Sequence, residues 1–480
     1  MNNLQQLGDN KNKIVKYSFL VILLAVGAFY YSFYAFSVIS PQTGWWQYMA
    51  QRLNEGDLLY QDVFMYVPPY FAWLTGFLYN FFGKYFAYYT IFGLIFFRML
   101  PWAFLYLTLI RFTKPHVATI AVLLGICVTS SYLMDMPYDY NPMLMALTIV
   151  QGYFMVRLIE ARNSKESHLW IFLEGMVCGL QIMFKQNIGI IMPVVLVPLT
   201  AFVYGYTKKG HWGYAVLTIL LGIATSALPG IVYLMATGTL DDCWYCIIAA
   251  LQAKMGDGNI LLIAIKNFIV PKNLVVAISV ICALYSLAST KSEVRKHRAL
   301  CCTVMGAALT MQFSGYVLTF LGFLNWSSIQ KWLLILAVVA LIAIATLIIH
   351  KIPILRKNSG LLLCGGFLVV FVVGIKIVSM LPDVVGYKIY YFMDWHGLKT
   401  DILYTMLYLD IFFWFRMVYK GFIKKDALSA KYALVYIVFF GFMAVSFASA
   451  VLEELYALLL TPGVVIGIAE ALSHTDEEFS

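Results

Sequence analysis

Charge is what this sequence has least of. Only 12% of its residues are Asp, Glu, Lys or Arg, against about a quarter in a soluble domain. No charged shell can be built around a chain that is 62% hydrophobic with a mean hydropathy of +0.81. A soluble globular fold is excluded, and an all-α, polytopic helical membrane protein is expected. The phosphate loop G-x-x-x-x-G-K-[ST], the zinc motif H-E-x-x-H and the nucleophile elbow G-x-S-x-G are all missing, which removes the activities those motifs carry. Neither a metal nor a cofactor is expected. The net charge of +9 comes from short scattered clusters, not one basic face, so no nucleic-acid partner is expected. Cysteine is sparse, with 8 in 480 residues. Most lie in apolar segments; Cys243 and Cys246 form C-W-Y-C, read as neighbouring thiols on an amphipathic segment. A signal-peptide cleavage site is also lacking. The first apolar run, about residues 14–39, is longer than a signal core and reads as a retained first span.

What the chain has in abundance is long apolar runs. Between them, breaks rich in Lys and Arg recur: Lys11/Lys13/Lys16, Arg111/Lys114, Arg157/Arg162/Lys165, Lys208/Lys209, Lys291/Arg295, Lys351/Arg356 and Lys420/Lys424. The positive-inside rule makes this set cytoplasmic, which gives about fourteen spans (12–14) with both termini inside. The expected address is a plasma membrane, of the bacterial cytoplasmic type, with function on the outer face. Residues 1–480 are read as one integral domain, with 1–206 as a catalytic-type module and 207–480 as a second transmembrane module. Three outer loops are long, at about 40–87, 238–272 and 383–400, and rich in Trp, Tyr and Phe. Aromatic content of that kind predicts helices lying at the headgroup level, not disorder.

The first of these loops is the most informative. Residues 43–55 can form an amphipathic helix, with Trp45, Trp46, Met49 and Leu53 on its apolar side and Gly56 as its stop. Pro68-Pro69 opens a second helix that runs to Phe82 and ends at Gly83. Between them lies a tight connection with Asp57, read as solvated, and Asp62.

This loop resembles the first outer loop of the GT-C glycosyltransferases that use polyprenyl-phosphate sugars, the protein mannosyltransferase and aminoarabinose transferase type. The resemblance rests on an ordered set: Gly44-Trp45, Ala50-Gln51-Arg52, Glu55-Gly56, Tyr60-Gln61-Asp62, Pro68-Pro69, Phe82-Gly83 and Arg98-x-x-Pro101. A further element is the family's G-L-x-x-x-x-K, here Gly179-Leu180 and then Lys185-Gln186. One position departs. Where the family opens the loop with an acidic residue that acts on the acceptor, this chain reads Pro41-Gln42-Thr43. The resemblance implies an inverting transfer of a sugar from a polyprenyl-phosphate donor to a glycan, lipid or protein acceptor. With the usual acid missing, another carboxylate must serve as base, Asp62 first and Asp139 second.

Lys185 interrupts an apolar run, and a charge at a bilayer centre costs roughly 2.5–3.5 kcal/mol. The fifth span reads as residues 169–184 and the sixth as 189–206. The fifth would be only about 24 Å long, short of a ~30 Å core. Lys185 is then expected at the floor of an outward cavity, where with Arg98, Gln186 and Lys388 it would hold the donor phosphate. The turn M-D-M-P-Y-D-Y-N-P supplies Asp139, Tyr138, Tyr140 and Asn141, and the late loop supplies Trp395 and His396. With Tyr66, these are the expected sugar and acceptor contacts, since aromatic faces stack on sugar rings. Asp139 can equally cap the helix that follows. Two deeper carboxylates, Glu174 and Asp410, suit interhelical bonding and keep a rival open: a lipid-sugar flippase or solute transporter. A catalytically inactive relative is the third reading.

Overall fold

The computed structural model describes residues 14–28, 41–83, 92–132, 139–208, 210–255, 271–288, 398–439 and 457–473, with isolated positions between 297 and 351. Among them the chain is helical, and its only bridge outside helices pairs Leu59 with Val63. In order, the helices are α1 (Ile14–Ala28), α2 (Pro41–Glu55), α3 (Tyr70–Phe82), α4 (Leu100–Leu109, entered through a π-helical turn at Leu94–Met99), α5 (Pro115–Tyr132) and α6 (Tyr140–Glu160). They continue as α7 (Ser164–Phe184), α8 (Gln186–Lys208), α9 (Trp212–Ala236), α10 (Leu240–Met255), α11 (Pro271–Ala288), α12 (Leu398–Val418), α13 (Ala427–Ile437) and α14 (Ala457–Ser473). Four stretches, in α6 to α9, are long and apolar enough to cross a membrane. The expected total of spans and the loop at 383–400, up to residue 397, fall outside the described residues.

Residues 41–83 form the two helices their sequence predicts. Gly56 and Gly83 close them with φ of +105° and +65°, conformations glycine adopts without penalty. On α2, Trp46, Met49 and Ala50 are buried, and Asn54 Nδ2 donates to the carbonyl of Gly76 on α3 at 3.0 Å. Helix α3 is in turn fastened to the bundle: Tyr70 donates to the Ser226 carbonyl of α9 at 2.6 Å, and the Gly230 N–H donates back to Tyr70 at 3.2 Å.

The fifth span is not short. It runs from Ser164 to Phe184, 21 residues, about 31 Å at 1.5 Å per residue. The sixth runs from Gln186 to Lys208. Asn163 caps α7 by accepting from the Glu166 N–H at 2.8 Å, while Glu166 reaches back to the Arg162 N–H at 3.0 Å. This reciprocal cap adds a polar turn that an apolar window cannot detect.

Small residues set how the bundle closes. A Cβ on Gly175 would lie 2.2 Å from the Ile219 carbonyl oxygen, and one on Gly179 would lie 2.1 Å from Ser226 Oγ. Helices α7 and α9 therefore meet backbone to backbone, as small-residue stripes allow. These contacts join residues on either side of position 206. At the far end of the chain, Tyr436 of α13 donates to the Asp410 carboxylate of α12, and Arg416 pairs with the fully buried Glu470 of α14. Asp410 thus finds its partner on another helix, the interhelical bonding its sequence position suits.

The helix ends sort into two poles. Tyr106 near the end of α4 donates to the Lys16 carbonyl of α1, and Arg111 after α4 pairs with Glu160 at the end of α6. The start of α6, the end of α7 and the start of α8 lie at the opposite pole, where Lys185 sits.

Candidate functional site

Lys185 is the single residue between α7 and α8. Its backbone is extended, at φ −158° and ψ 118°, with its N–H bonded to Gln181 O and its carbonyl accepting from Gly189 N–H. A Cβ on Gly189 would lie 2.2 Å from Ile182 Cα, so only glycine lets α8 turn back this closely. The corner drives the lysine side chain sideways, toward the start of α6. There its Nζ donates to Asn141 Oδ1 at 2.9 Å and lies 4.5 Å from the centre of the Tyr140 ring. Asn141 Nδ2 donates to the Asp139 carboxylate at 3.1 Å. One amide therefore bridges an ammonium and a carboxylate, and Asp139, Tyr140, Asn141 and Lys185 are all only 3–5% exposed.

Asp139 holds the N-cap position of α6 but makes no side-chain cap bond. Its carboxylate faces Asn141 instead, so the capping role open to it in sequence is not the one it takes. The segment from α2 to α3 roofs this cluster. The hydroxyls of Tyr66 and Tyr140 share a hydrogen bond at 3.2 Å, and Gln186 Nε2 donates to the Tyr66 carbonyl at 3.1 Å. Trp45 stacks on Tyr66, and Trp46 and Phe71 meet Tyr140 edge-on. An ammonium, an amide, a carboxylate and several aromatic faces thus converge under one roof. An anion can bind such a cation, a hydroxyl can lose its proton to such a carboxylate, and a sugar ring can lie on such faces.

No protein-family model matches this chain, and neither does any curated protein. Among solved structures it is similar to ArnT from Cupriavidus metallidurans bound to undecaprenyl phosphate, at 14% identity and a TM-score of 0.43, covering 95% of this chain and 78% of that one. The apo ArnT structure gives 15% identity and a TM-score of 0.42, with 93% and 77% covered.

Six residues singled out in the sequence come together here: Asp139, Tyr140, Asn141, Lys185, Gln186 and Tyr66. Asp62 does not join them. It is exposed, and its carboxylate accepts from the Leu58 N–H at 2.8 Å, which fixes the turn it sits in. Asp57 is not simply solvated, because it forms an ion pair with Arg52. Arg98 lies in the π-helical turn that enters α4, and its side chain is outside the described residues, as are Tyr138, Lys388, Trp395 and His396.

Two features escaped sequence reasoning. The first is a buried polar seam between α6 and α7. Gln181 donates to Thr148 at 2.8 Å and to Gln151 at 3.0 Å, and Gln151 donates to Cys178 Sγ at 3.3 Å. Glu174 lies one turn further along, fully buried, with neither carboxylate oxygen hydrogen-bonded. The spacing Glu174, Cys178, Gln181, Lys185 is a one-face stripe and was the available signal. The second is the clasp between loop 57–67 and α10. Gln61 Nε2 donates to Asp242 at 2.9 Å. Buried Tyr60, at φ +78°, is set against Cys243. Burial pushes the Tyr60 phenol and the Cys243 and Cys246 thiols up from their usual pKa ranges. The C-W-Y-C pair thus packs the loop onto α10, with both thiols free.

Proposed function

We propose that this chain is a membrane glycosyltransferase that moves a sugar from a polyprenyl-phosphate donor to an acceptor on the outer face. The observation that carries the reading is the Asn141 bridge, which sets the Lys185 ammonium and the Asp139 carboxylate side by side in a buried, aromatic-roofed site. Lys185 holds the donor phosphate, with Arg98 as a second cation. Asp139 takes the acceptor hydroxyl's proton as that oxygen attacks the anomeric carbon. The bond from that carbon to the phosphate oxygen breaks, and polyprenyl phosphate leaves with inversion. Lys185 stabilises the negative charge that grows on the phosphate, where electrostatic help is worth most. Gln186 and Tyr66 act as roof ties. Asp139 replaces Asp62 as the favoured base because it shares a site with the cation and Asp62 does not.

The test uses the full chain in nanodiscs with labelled polyprenyl-phosphate sugars and an envelope extract as acceptor, the product being followed by mass spectrometry. Asp139→Asn should lower turnover by about 10²–10⁴, while Asp62→Asn should leave it nearly unchanged. Normal turnover in Asp139→Asn refutes the assignment.

The buried seam favours a second reading, a translocator for lipid-linked sugars, because it strings polar groups through the bundle from Lys185 to Glu174. That reading predicts movement of labelled donor across a proteoliposome bilayer with no bond broken, lost in Glu174→Gln.

A further inference from the structure

At the pole opposite Lys185, a cavity of about 210 Å³ opens between α1 and α4. Its rim carries Lys16 and Arg111, with Tyr17 beside them, and its floor is formed by Leu20, Tyr106 and Ile110. Tyr106 is fully buried and donates to the Lys16 carbonyl at 2.9 Å, which ties the two helices together at the cavity's depth. Along α1, Val21, Ile22 and Val26 present an exposed apolar face leading away from the cavity. Cations thus sit at one end and aliphatic surface runs on from the other.

We propose that this cavity binds the headgroup of an anionic glycerophospholipid. A phosphate diester would sit between Lys16 and Arg111, and one acyl chain would follow Leu20 along α1. Charge complementarity selects the occupant. Basic pockets between helices at the membrane edge draw anionic headgroups, and Arg can meet a phosphate with two parallel bonds. Arg111 already touches Glu160, but through Nη1 alone, at 3.3 Å, in a pair whose side chains are 38% and 33% exposed. Half-exposed pairs of this kind are weak, and the remaining guanidinium donors are free to reach a phosphate. A neutral zwitterionic headgroup brings its own cation to the rim and gains less. The site is separate from the proposed donor site, so it occupies a different leaflet and serves a bulk lipid.

The test is the unfolding midpoint of the purified full chain in a neutral detergent, titrated with dioleoylphosphatidylglycerol, dioleoylphosphatidylcholine or inorganic phosphate. Phosphatidylglycerol should raise the midpoint and phosphatidylcholine should not. In the double variant Lys16→Gln/Arg111→Gln the lipid concentration needed should rise about tenfold or more. A matched double change elsewhere, Lys165→Gln/Lys431→Gln, should leave the response intact. An unaltered response in the first pair, or equal loss in both pairs, overturns the site. Full stabilisation by inorganic phosphate overturns the lipid assignment in favour of a free-anion site. Should the double variant fail to fold, a diazirine-bearing phosphatidylglycerol on the unaltered chain decides. Crosslinks should map to residues 14–28 and 100–111, and labelling elsewhere refutes the proposal.

Discussion

Replacing Lys185 with Met separates the lysine's function from its place in the fold. Met keeps an unbranched stem and removes the charge. Three contributions to stability can be sized. The charge-assisted bond from Nζ to Asn141 at 2.9 Å is lost, at about 1.5–3 kcal/mol. The contact with the Tyr140 ring at 4.5 Å goes too, at roughly 0.5–2 kcal/mol. Against these, a buried ammonium no longer has to be held out of water, which returns several kcal/mol, on the order of the effective desolvation cost of one ion. Loss and gain nearly cancel, so the thermal midpoint should move by only a few degrees. Donor binding has no such compensation. Losing one charge-assisted bond to a lipid phosphate should weaken it about ten- to a hundredfold. The assay is a titration of nanodisc-embedded protein with a polyprenyl-phosphate sugar, undecaprenyl phosphate serving as a sugar-free probe, beside a melting curve on the same sample. A folded Lys185→Met protein with unchanged affinity for both lipids refutes the phosphate role. A midpoint that collapses refutes the cancellation and makes the lysine a structural strut.

Other consequences can be measured more simply. Gly175→Ala drives a methyl into the Ile219 carbonyl of α9, and such overpacking should cost about 1–3 kcal/mol, read as a lower unfolding midpoint. Cys243 and Cys246 are buried with thiols raised by that burial, so methanethiosulfonate labelling should be slow at pH 7 and rise through a midpoint above the usual thiol range. Labelling that is already complete at pH 7 contradicts the packing of α10 on loop 57–67. For sidedness, cysteines at exposed Gln61 and at Lys114 in a cysteine-free background should separate: the first reacts with an impermeant reagent on intact cells, the second only after lysis. The reverse pattern inverts the topology.

The α2–α3 segment was legible because its signals are local. Gly56, Pro68-Pro69 and Gly83 act within a turn of where they stand, and α2 and α3 begin and end close to where those residues put them. The ends of α7 were less legible, since hydropathy marks the apolar part of a helix and the Asn163–Glu166 cap adds a polar turn outside it. Which of the two carboxylates lies beside Lys185 could not be read at all. Asp62 belongs to a motif-like stretch and Asp139 to a plain turn. Which of them meets Lys185 depends on how α6 and α7 pair, a contact spanning 44 residues in the chain. Glu174, Cys178, Gln181 and Lys185 shared a visible spacing, but spacing names a face and not the neighbour it meets.

The one-residue corner at Lys185 also bears on how the protein is made. Helices α7 and α8 have no loop between them, so neither can be threaded into a bilayer while the other waits outside. They must enter as one hairpin, tip first, with Arg162 and Lys165 at one open end, Lys208 at the other and Lys185 alone at the tip. With Arg162, Lys165 and Lys208 held on the cytoplasmic side, as the positive-inside rule expects, a single ammonium is the charge that has to be carried across. A second cation at Gln186 would double that barrier. Gln186→Lys is therefore a lesion of biogenesis before it is a lesion of the site, visible as a loss of inserted protein even in cells where activity is never assayed.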